Sequence, residues 1–272
     1  MKDAGKHAVV FLGGGRITTS LLAGLRLAGF RQPVVVHDRN LPKLRQLKRQ
    51  YDVQVEPDLH RAVQQAHLLI VAVRPDGVRD LLQQVGQVRM GLSRPLTTVS
   101  LAAGIPLKNL RAWSGFSLRW ARAMPSPVAR TGHGLTAITF ERSVPAAARR
   151  EVRDFFSRVG TVLEIRESSF DAFTVTYSSS HGYHALSVLA EAARKLGLDR
   201  KTALTTAAHA LADGVQAWRG SALSLDELLN EAATPGGIAA STMAKMNQSG
   251  YKRSVQLGLR AGMTRAAKNA KS

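Results

Sequence analysis

The first part of the chain alternates short apolar runs, rich in β-branched residues, with stretches whose apolar residues recur every three or four positions. The runs at 8–13, 33–38, 67–73 and 96–101 predict strands, and the patterns at 17–29, 41–50, 58–65 and 76–87 predict amphipathic helices. Such alternation implies a parallel sheet covered by helices on both faces. Two further runs, around 116–123 and 134–141, predict strands that complete the sheet. The segment 145–158 predicts a helix, and Gly160-Thr161-Val162-Leu163-Glu164-Ile165 a last strand. From about Ser168 the strand signals cease. Alanine- and leucine-rich helical stretches follow at 171–196, 200–218, 224–230, 236–248 and 251–270, punctuated by Pro235-Gly236-Gly237, with Asp199, Ser221 and Ser224 as caps. An all-helical half with so few charged positions has more apolar face than it can bury on itself, which predicts a helix-swapped or packed homodimer.

The first predicted strand ends in Gly13-Gly14-Gly15, and Leu21, Leu22, Leu25 and Ala28 then recur at helical spacing. A strand that turns through glycines into a helix makes an anion cradle: bare backbone approaches a pyrophosphate, and the helix N-terminus directs unpaired N–H groups and its positive dipole end at it. The dinucleotide fingerprint ends in glycine or alanine, where this chain has Thr18; a degenerate G-x-G-x-x-T fits a glycine turn of some other α/β protein as well. Asp38 strengthens the reading, because it follows Val34-Val35-Val36 about twenty residues on, where the fingerprint places a ribose-binding carboxylate. Arg39, Lys43 and Arg45 offer cations for a 2′-phosphate instead. These features predict an α/β, Rossmann-like, doubly wound dinucleotide-binding domain over 1–166 and an all-α dimerisation and substrate domain over 167–272.

Composition narrows the class further. The 272 residues are 44% hydrophobic and 21% charged, as in ordinary globular proteins. No apolar run approaches the roughly 20 residues of a membrane span. Residues 1–6 lead into the first strand without a signal-peptide pattern, so a cytoplasmic chain is expected. Zero cysteines exclude disulfides, thiolate ligands and a cysteine nucleophile. The net charge is +19, and the excess lies ahead of residue 166, where 25 Lys and Arg face 11 Asp and Glu. The arginines are dispersed and aromatics do not interleave with them, so the charge points to anionic small molecules rather than to specific nucleic-acid binding.

Further segments at ordered spacing carry a family resemblance: Val71-Ala72-Val73-Arg74-Pro75, Ser100-Leu101-Ala102-Ala103-Gly104-Ile105, Arg122-Ala123-Met124-Pro125-Ser126, Asp171-Ala172-Phe173-Thr174 and Thr234-Pro235-Gly236-Gly237. With Phe11-Leu12-Gly13-Gly14-Gly15 they resemble the 1-pyrroline-5-carboxylate reductase family over nearly the whole chain. The resemblance implies reduction of a small anionic cyclic imine, 1-pyrroline-5-carboxylate, to proline, by a homodimer or higher homo-oligomer. It implies NADPH or NADH as cofactor, and Arg39 and Lys43, which would attract a 2′-phosphate, favour NADPH with NADH the alternative. The cofactor contacts it implies are Gly13, Gly14, Gly15, Arg16, Ile17, Asp38 and Arg39, then Ala72, Val73, Arg74 and Pro75 (the family's A-V-K-P), and Met124 and Ser126 (its M-P-N). The family's S-P-G-G loop becomes Thr234-Pro235-Gly236-Gly237, so substrate contacts fall on Thr234, Gly236, Gly237, Ile238 and Ala239.

Two departures concern the chemistry. The family expects a threonine two residues after the glycine pair, where a hydroxyl reaches the imine nitrogen; this chain has Ala239. Thr234, Ser241, Thr242 and His181 remain as candidate catalytic groups. The family's S-G-S-G-P-A becomes Tyr177-Ser178-Ser179-Ser180-His181-Gly182. His181 and His184 lie three apart on one predicted helix with no third ligand at helical spacing, so no metal site is expected. Tyr177 and Tyr183 could offer hydroxyls to a substrate, although a buried tyrosine with a satisfied hydroxyl is the commoner case. Reduction of a different imine, and a non-catalytic dinucleotide-binding regulator, remain open beside the leading reading.

Overall fold

The computed structural model describes residues 8–89, 96–114 and 118–271. The expectations for residues 1–6, and the start of the strand predicted around 116–123, lie outside them. Within the described residues the chain divides into two compact units, one running to Tyr177 and resuming at Gly262, the other Ser178–Ala261.

The first unit is built on an eight-stranded sheet of order β3-β2-β1-β4-β5-β6-β7-β8. Its strands are β1 (Ala8–Leu12), β2 (Val34–His37), β3 (Gln54–Val55), β4 (Ala66–Val71), β5 (Leu96–Ser100), β6 (Leu118–Met124), β7 (Gly134–Phe140) and β8 (Gly160–Glu164). All neighbours pair in parallel except β6 and β7, which are antiparallel. Alternation along β1 shows why the strands read as continuous apolar runs. Val9 and Phe11 enter one core layer and Ala8, Val10 and Leu12 the other, so both faces are buried. The first layer takes Leu21, Leu22 and Leu25 from α1 (Arg16–Leu27), Leu44 and Leu47 from α2 (Leu41–Tyr51), and Phe155 and Phe156 from α6 (Ala146–Ser157). The second takes Ala62 and Val63 from α3 (Leu59–Gln64), Leu82 and Val85 from α4 (Val78–Arg89), and Leu110 from α5 (Leu107–Ser114). β3 and α5 fall outside the predicted elements; two residues cannot display a period.

The helical half opens with α7 (Glu167–Thr176), followed by α8 (Ser179–Lys195). One helix was predicted over 171–196. It is broken because Tyr177 leaves the helical region and the Ser178 side chain caps α8 through Ser180 N–H. α7 belongs to the first unit, and so does the end of α12 (Tyr251–Asn269), where Asn269 and Asn109 side chains donate to the carbonyls of Ala103 and Ala270. The first compact unit thus runs on through α7, and the chain crosses back to it within α12.

In the second unit, α8 and α9 (Arg200–Gly220) form an antiparallel pair. Their turn is a Schellman motif: Gly197 has φ 104°, Leu198 N–H reaches Ala193 O, and Gly197 N–H reaches Arg194 O. Asp199 caps α9, and Ser224 with Glu227 forms a capping box on α10 (Leu225–Ala232). Among the described residues of this unit only Ala190, Ala203 and Ala207 are buried. Val188, Leu204, Val215, Trp218, Leu225 and Ile238 stand exposed. An apolar surface of that extent marks an interaction face.

The join of α7 to the sheet is ionic. Arg122 on β6 is 1% exposed and bonds Glu167 at 3.0 Å and Asp171 at 2.8 Å, one helical turn apart, with its guanidinium 4.1 Å from the Phe170 ring centroid. Glu167 also accepts from Leu107 N–H. Removing the cation strands two carboxylates, which costs about 3 kcal/mol, the low end for buried pairs because Glu167 and Asp171 keep 34% and 31% exposure. An Arg122→Ala variant is expected to lose that amount in urea unfolding with the m-value unchanged. A loss under about 1 kcal/mol would show that α7 is held by apolar packing instead.

Candidate active site

Parallel strands deliver their C-terminal ends to one sheet edge, and loops that follow β1, β2, β4, β5 and β6 open there. Gly13, Asp38, Ala72 and Ser126 all occupy it. The turn after β1 is fixed by close approach. Gly13 has φ 110°, and a Cβ on it would lie 2.7 Å from the Ala72 carbonyl oxygen, so only glycine fits. Its N–H donates to His37 O, and Ala72 N–H donates to Leu12 O. Thr18 is a local solution rather than a defect: fully buried, its hydroxyl donates to Gly13 O at 2.6 Å and ties the first turn of α1 to the glycine loop.

Gly15 is the N-cap of α1 and has no side-chain cap, and a Cβ there would meet nothing within 4 Å. The protein itself does not require glycine at this position. The bare backbone, the uncapped N–H groups at the start of α1 and the exposed Arg16 together suit an approaching phosphate. A dinucleotide pyrophosphate fits this cradle. Gly14 is different, since a Cβ there would press on Leu47, Lys43 and Asp38.

Asp38 is tied into the same turn. Its Oδ2 accepts from Gly14 N–H at 2.8 Å and from Lys43 Nζ at 3.0 Å, and its Oδ1 from Asn40 N–H at 2.8 Å. Burial raises the carboxyl pKa, but the N–H groups of Asn40 and Gly14 and the Lys43 ammonium outweigh it and hold the group below its ordinary value. Lys43 thus neutralises Asp38, whereas Arg39, exposed beside them, forms no ion pair among the described residues. At the neighbouring loop Val73 and Pro75 are half-buried and Arg74 exposed; Met124 ends β6 and Ser126 caps the turn that follows it. Ser126 is buried and its Oγ accepts from Val128 N–H and lies 3.1 Å from Tyr177 Oη.

A second anion-ready turn belongs to the other unit. Gly237 is the N-cap of α11 (Ile238–Gln248), again without a side-chain cap, and Gly236 has φ 79°. The helix predicted from 236 therefore starts at Ile238. Gly237 N–H closes the turn onto Thr234 O, and a Cβ on Gly237 would lie 2.8 Å from Thr234 Oγ1. Thr234, Gly236, Ile238 and Ala239 are exposed around it. Ser241 and Thr242 spend their hydroxyl protons inside the helix, on the carbonyls of Gly237 and Ile238 at 3.1 and 2.9 Å. His181 lies exposed in the first turn of α8. Arg122 was not singled out as a functional residue in the sequence; an arginine within the otherwise apolar Trp120-Ala121-Arg122-Ala123-Met124 strand, with Glu167 and Asp171 four apart downstream, was the available signal.

A doubly wound sheet with a glycine cradle at its carboxyl edge, followed by a helical unit with an anion turn, defines a dinucleotide-binding α/β protein with a helical C-terminal part. Two family models match it: NADP oxidoreductase, coenzyme F420-dependent, over residues 8–104, and pyrroline-5-carboxylate reductase dimerisation over 167–269. Pyrroline-5-carboxylate reductase of Corynebacterium melassecola is 28% identical over 247 residues, 90% of this chain and 92% of the relative. That of Pseudomonas aeruginosa is 26% identical and covers 95% of each. The fold matches the solved Plasmodium falciparum pyrroline carboxylate reductase with NADP bound at a TM-score of 0.86 and 18% identity, over 99% of this chain and 100% of that one. Over residues 167–269 the chain matches the pyrroline-5-carboxylate reductase dimerisation family, and along nearly its whole length it is similar to pyrroline-5-carboxylate reductases.

The open space at Gly15 separates ligand approach from folding. A Gly15→Val variant is expected to abolish dinucleotide binding, read by calorimetric titration, while losing less than about 1 kcal/mol of stability. Gly13→Val, forced against the Ala72 carbonyl, should lose stability as well. Undiminished affinity in Gly15→Val would remove the phosphate from this turn.

Proposed function

We propose that the protein reduces a cyclic imine, 1-pyrroline-5-carboxylate, to proline with NADPH, acting in the cytoplasm as a homodimer or higher homo-oligomer. The observation that carries this reading is the uncapped, sterically open glycine turn at Gly15, in a chain whose helical part matches the reductase dimerisation model over 167–269. The exposed aliphatic and tryptophan surface of the second unit supports the dimer, because a helical pair that buries little beyond alanines gains too little apolar burial to stand alone. Among the described residues no helix is long and apolar enough to cross a membrane.

The nicotinamide supplies the hydride when bound; the chain supplies position and electrostatics. Gly13 and Gly15 with the first N–H groups of α1 hold the pyrophosphate, Arg16 adds charge, and Ala72, Val73, Arg74 and Pro75 line the adjacent strand end. N–H groups of Gly236, Gly237 and Ile238 hold the substrate carboxylate by the same anion physics. Thr234 is the side-chain hydroxyl beside that turn whose proton is not committed to its own helix.

The pairing of Asp38 with Lys43 favours NADPH: a neutralised carboxylate repels a 2′-phosphate weakly, and Arg39 remains to attract it. Arg39→Ala is expected to lose NADPH affinity by about tenfold or more, from a charge-assisted contact of about 1.5–3 kcal/mol, and NADH affinity little. Equal losses for the two cofactors would move 2′-phosphate recognition away from Arg39.

Ala239 favours a second reading, a pocket rebuilt for a different imine, since the family's threonine is absent there and Ser241 and Thr242 direct their hydroxyl protons to the carbonyls of Gly237 and Ile238. NADPH oxidation by the purified protein against a panel of cyclic imines decides between them. If 1-pyrroline-5-carboxylate is the natural substrate, Ala239→Thr raises kcat/KM, because one hydrogen bond to a charged group contributes about 1.5–3 kcal/mol. A fall in rate on the preferred imine would establish the rebuilt pocket.

A further inference from the structure

The two strands whose carboxyl ends meet at Gly13 and Ala72 have their amino ends at a different opening. A cavity of about 350 Å³ lies there, between β1, β4 and α6. Its floor is apolar: Val9 and Leu68, neighbours in the sheet register, with Phe30 and Phe155, whose rings stand edge to face at 5.7 Å and 85°. Its wall is charged. Arg150, Glu151 and Asp154 line it from α6, Arg158 from the cap of that helix, and His67 from β4. Val9 precedes Gly13 by four positions, so about 13 Å of strand separates this floor from the glycine cradle.

The charges of α6 sort into two sets. Arg149 and Arg153, which do not line the cavity, are committed. Arg149 donates to the carbonyls of Val144 and Glu141, Arg153 reaches Glu164 at 2.6 Å, and both guanidiniums stand by the Phe140 ring. On the cavity side Glu151 Oε1 lies 2.9 Å from His67 Nε2, whereas the side chains of Arg150, Asp154 and Arg158 have no hydrogen-bond or ion-pair partner among the described residues. Opposite charges four apart on a helix are placed to pair, and Asp154 has an arginine four positions away on either side. The row stands open instead: a carboxylate between two guanidiniums, over an apolar floor.

Such a row selects a ligand by its charges. A simple anion that meets the arginines is repelled by Asp154, and a simple cation that meets Asp154 is repelled by the arginines. A zwitterion with its two charges close together satisfies both. The floor selects in turn, since a polar side chain laid on it would give up water without gaining a partner. We propose that this cavity binds an apolar α-amino acid, with its ammonium on Asp154, its carboxylate on a flanking guanidinium and its side chain on the Phe30 and Phe155 rings. The floor residues are at most 8% exposed, so the apolar contact adds little and the charges carry the affinity. The site is independent of the dinucleotide cradle and of the imine chemistry.

Calorimetric titration of the full-length protein tests this with four probes. They are L-leucine, 4-methylpentanoate, which lacks the ammonium, 3-methylbutylamine, which lacks the carboxylate, and L-asparagine, similar in shape but polar. The parent should bind L-leucine, and each of the other three about three- to tenfold more weakly, the range between an exposed ion pair and a charge-assisted hydrogen bond. Asp154→Asn should weaken L-leucine by that factor and leave 4-methylpentanoate no weaker. Arg150→Gln/Arg158→Gln should weaken L-leucine likewise and leave 3-methylbutylamine no weaker. In each variant the analogue that never needed the substituted charge shows that the cavity is intact. Absence of saturable L-leucine binding at millimolar concentration, L-leucine affinity untouched by either variant, a parallel loss for the matched analogue, or equal affinity for L-asparagine would overturn the proposal.

Discussion

The backbone contact between Gly13 and the Ala72 carbonyl is the constraint on which the carboxyl edge of the sheet depends. Two parallel strands can bring their ends this close only where one lacks a Cβ and turns at positive φ. Once that contact is made, the surrounding polar groups have few other partners. Gly13 O is presented to the Thr18 hydroxyl, Gly14 N–H to Asp38, and Gly13 N–H to His37 O. Each of these bonds joins the turn to a different element: α1, the loop after β2, and β2 itself. The turn is therefore stiff without a ligand, and a preorganised cradle avoids ordering cost on binding.

The same logic explains what a sequence reading can and cannot see. Val9, Val10, Phe11 and Leu12 announce a buried strand because both faces of a parallel sheet are covered, and Leu21, Leu22 and Leu25 announce a helix because one stripe is. These are local signals. Asp38 was visible because its spacing from the glycines is set by one βαβ crossover of ordinary length. Its bond to Lys43 was not, since from the sequence Lys43 stood equally well as a phosphate ligand. Arg122 with Glu167 and Asp171, and Tyr177 with Ser126, span 45, 49 and 51 residues. Such partners are chosen by the approach of α7 to the sheet, which no periodicity encodes. The break at Tyr177 was hidden because its marker is a single local cap, the Ser178 side chain accepting from Ser180 N–H.

Charge behaves as a consequence of this arrangement. Much of the acid in the first unit is consumed internally. Asp38 faces Lys43, Glu141 faces Arg111, Glu164 faces Arg149 and Arg153, and Glu167 and Asp171 share Arg122. Arg16, Arg39 and Arg74, all exposed and without ion pairs among the described residues, follow β1, β2 and β4 at the edge that carries the glycine cradle. A net charge of +19 spread over the surface would say little about ligands. The positions of these three arginines say more, because they gather cations at one edge of the sheet.

The division between units gives the two anion turns different physical settings. The turn at Gly15 stands on a sheet whose core is complete within its own unit, so its geometry is insured by Phe11, Leu21, Leu25 and the rest of that layer. The turn at Gly236 and Gly237 stands on helices that bury little beyond alanine among themselves. Its rigidity must come from what covers Val188, Trp218 and Ile238. If a second copy of the chain supplies that cover, association is a condition for the Gly236 turn to hold its shape, whereas the Gly15 turn needs none. Dilution below the dimer dissociation constant should then weaken carboxylate recognition before it weakens dinucleotide binding, a separation that follows from where the apolar surface lies rather than from either turn's own chemistry.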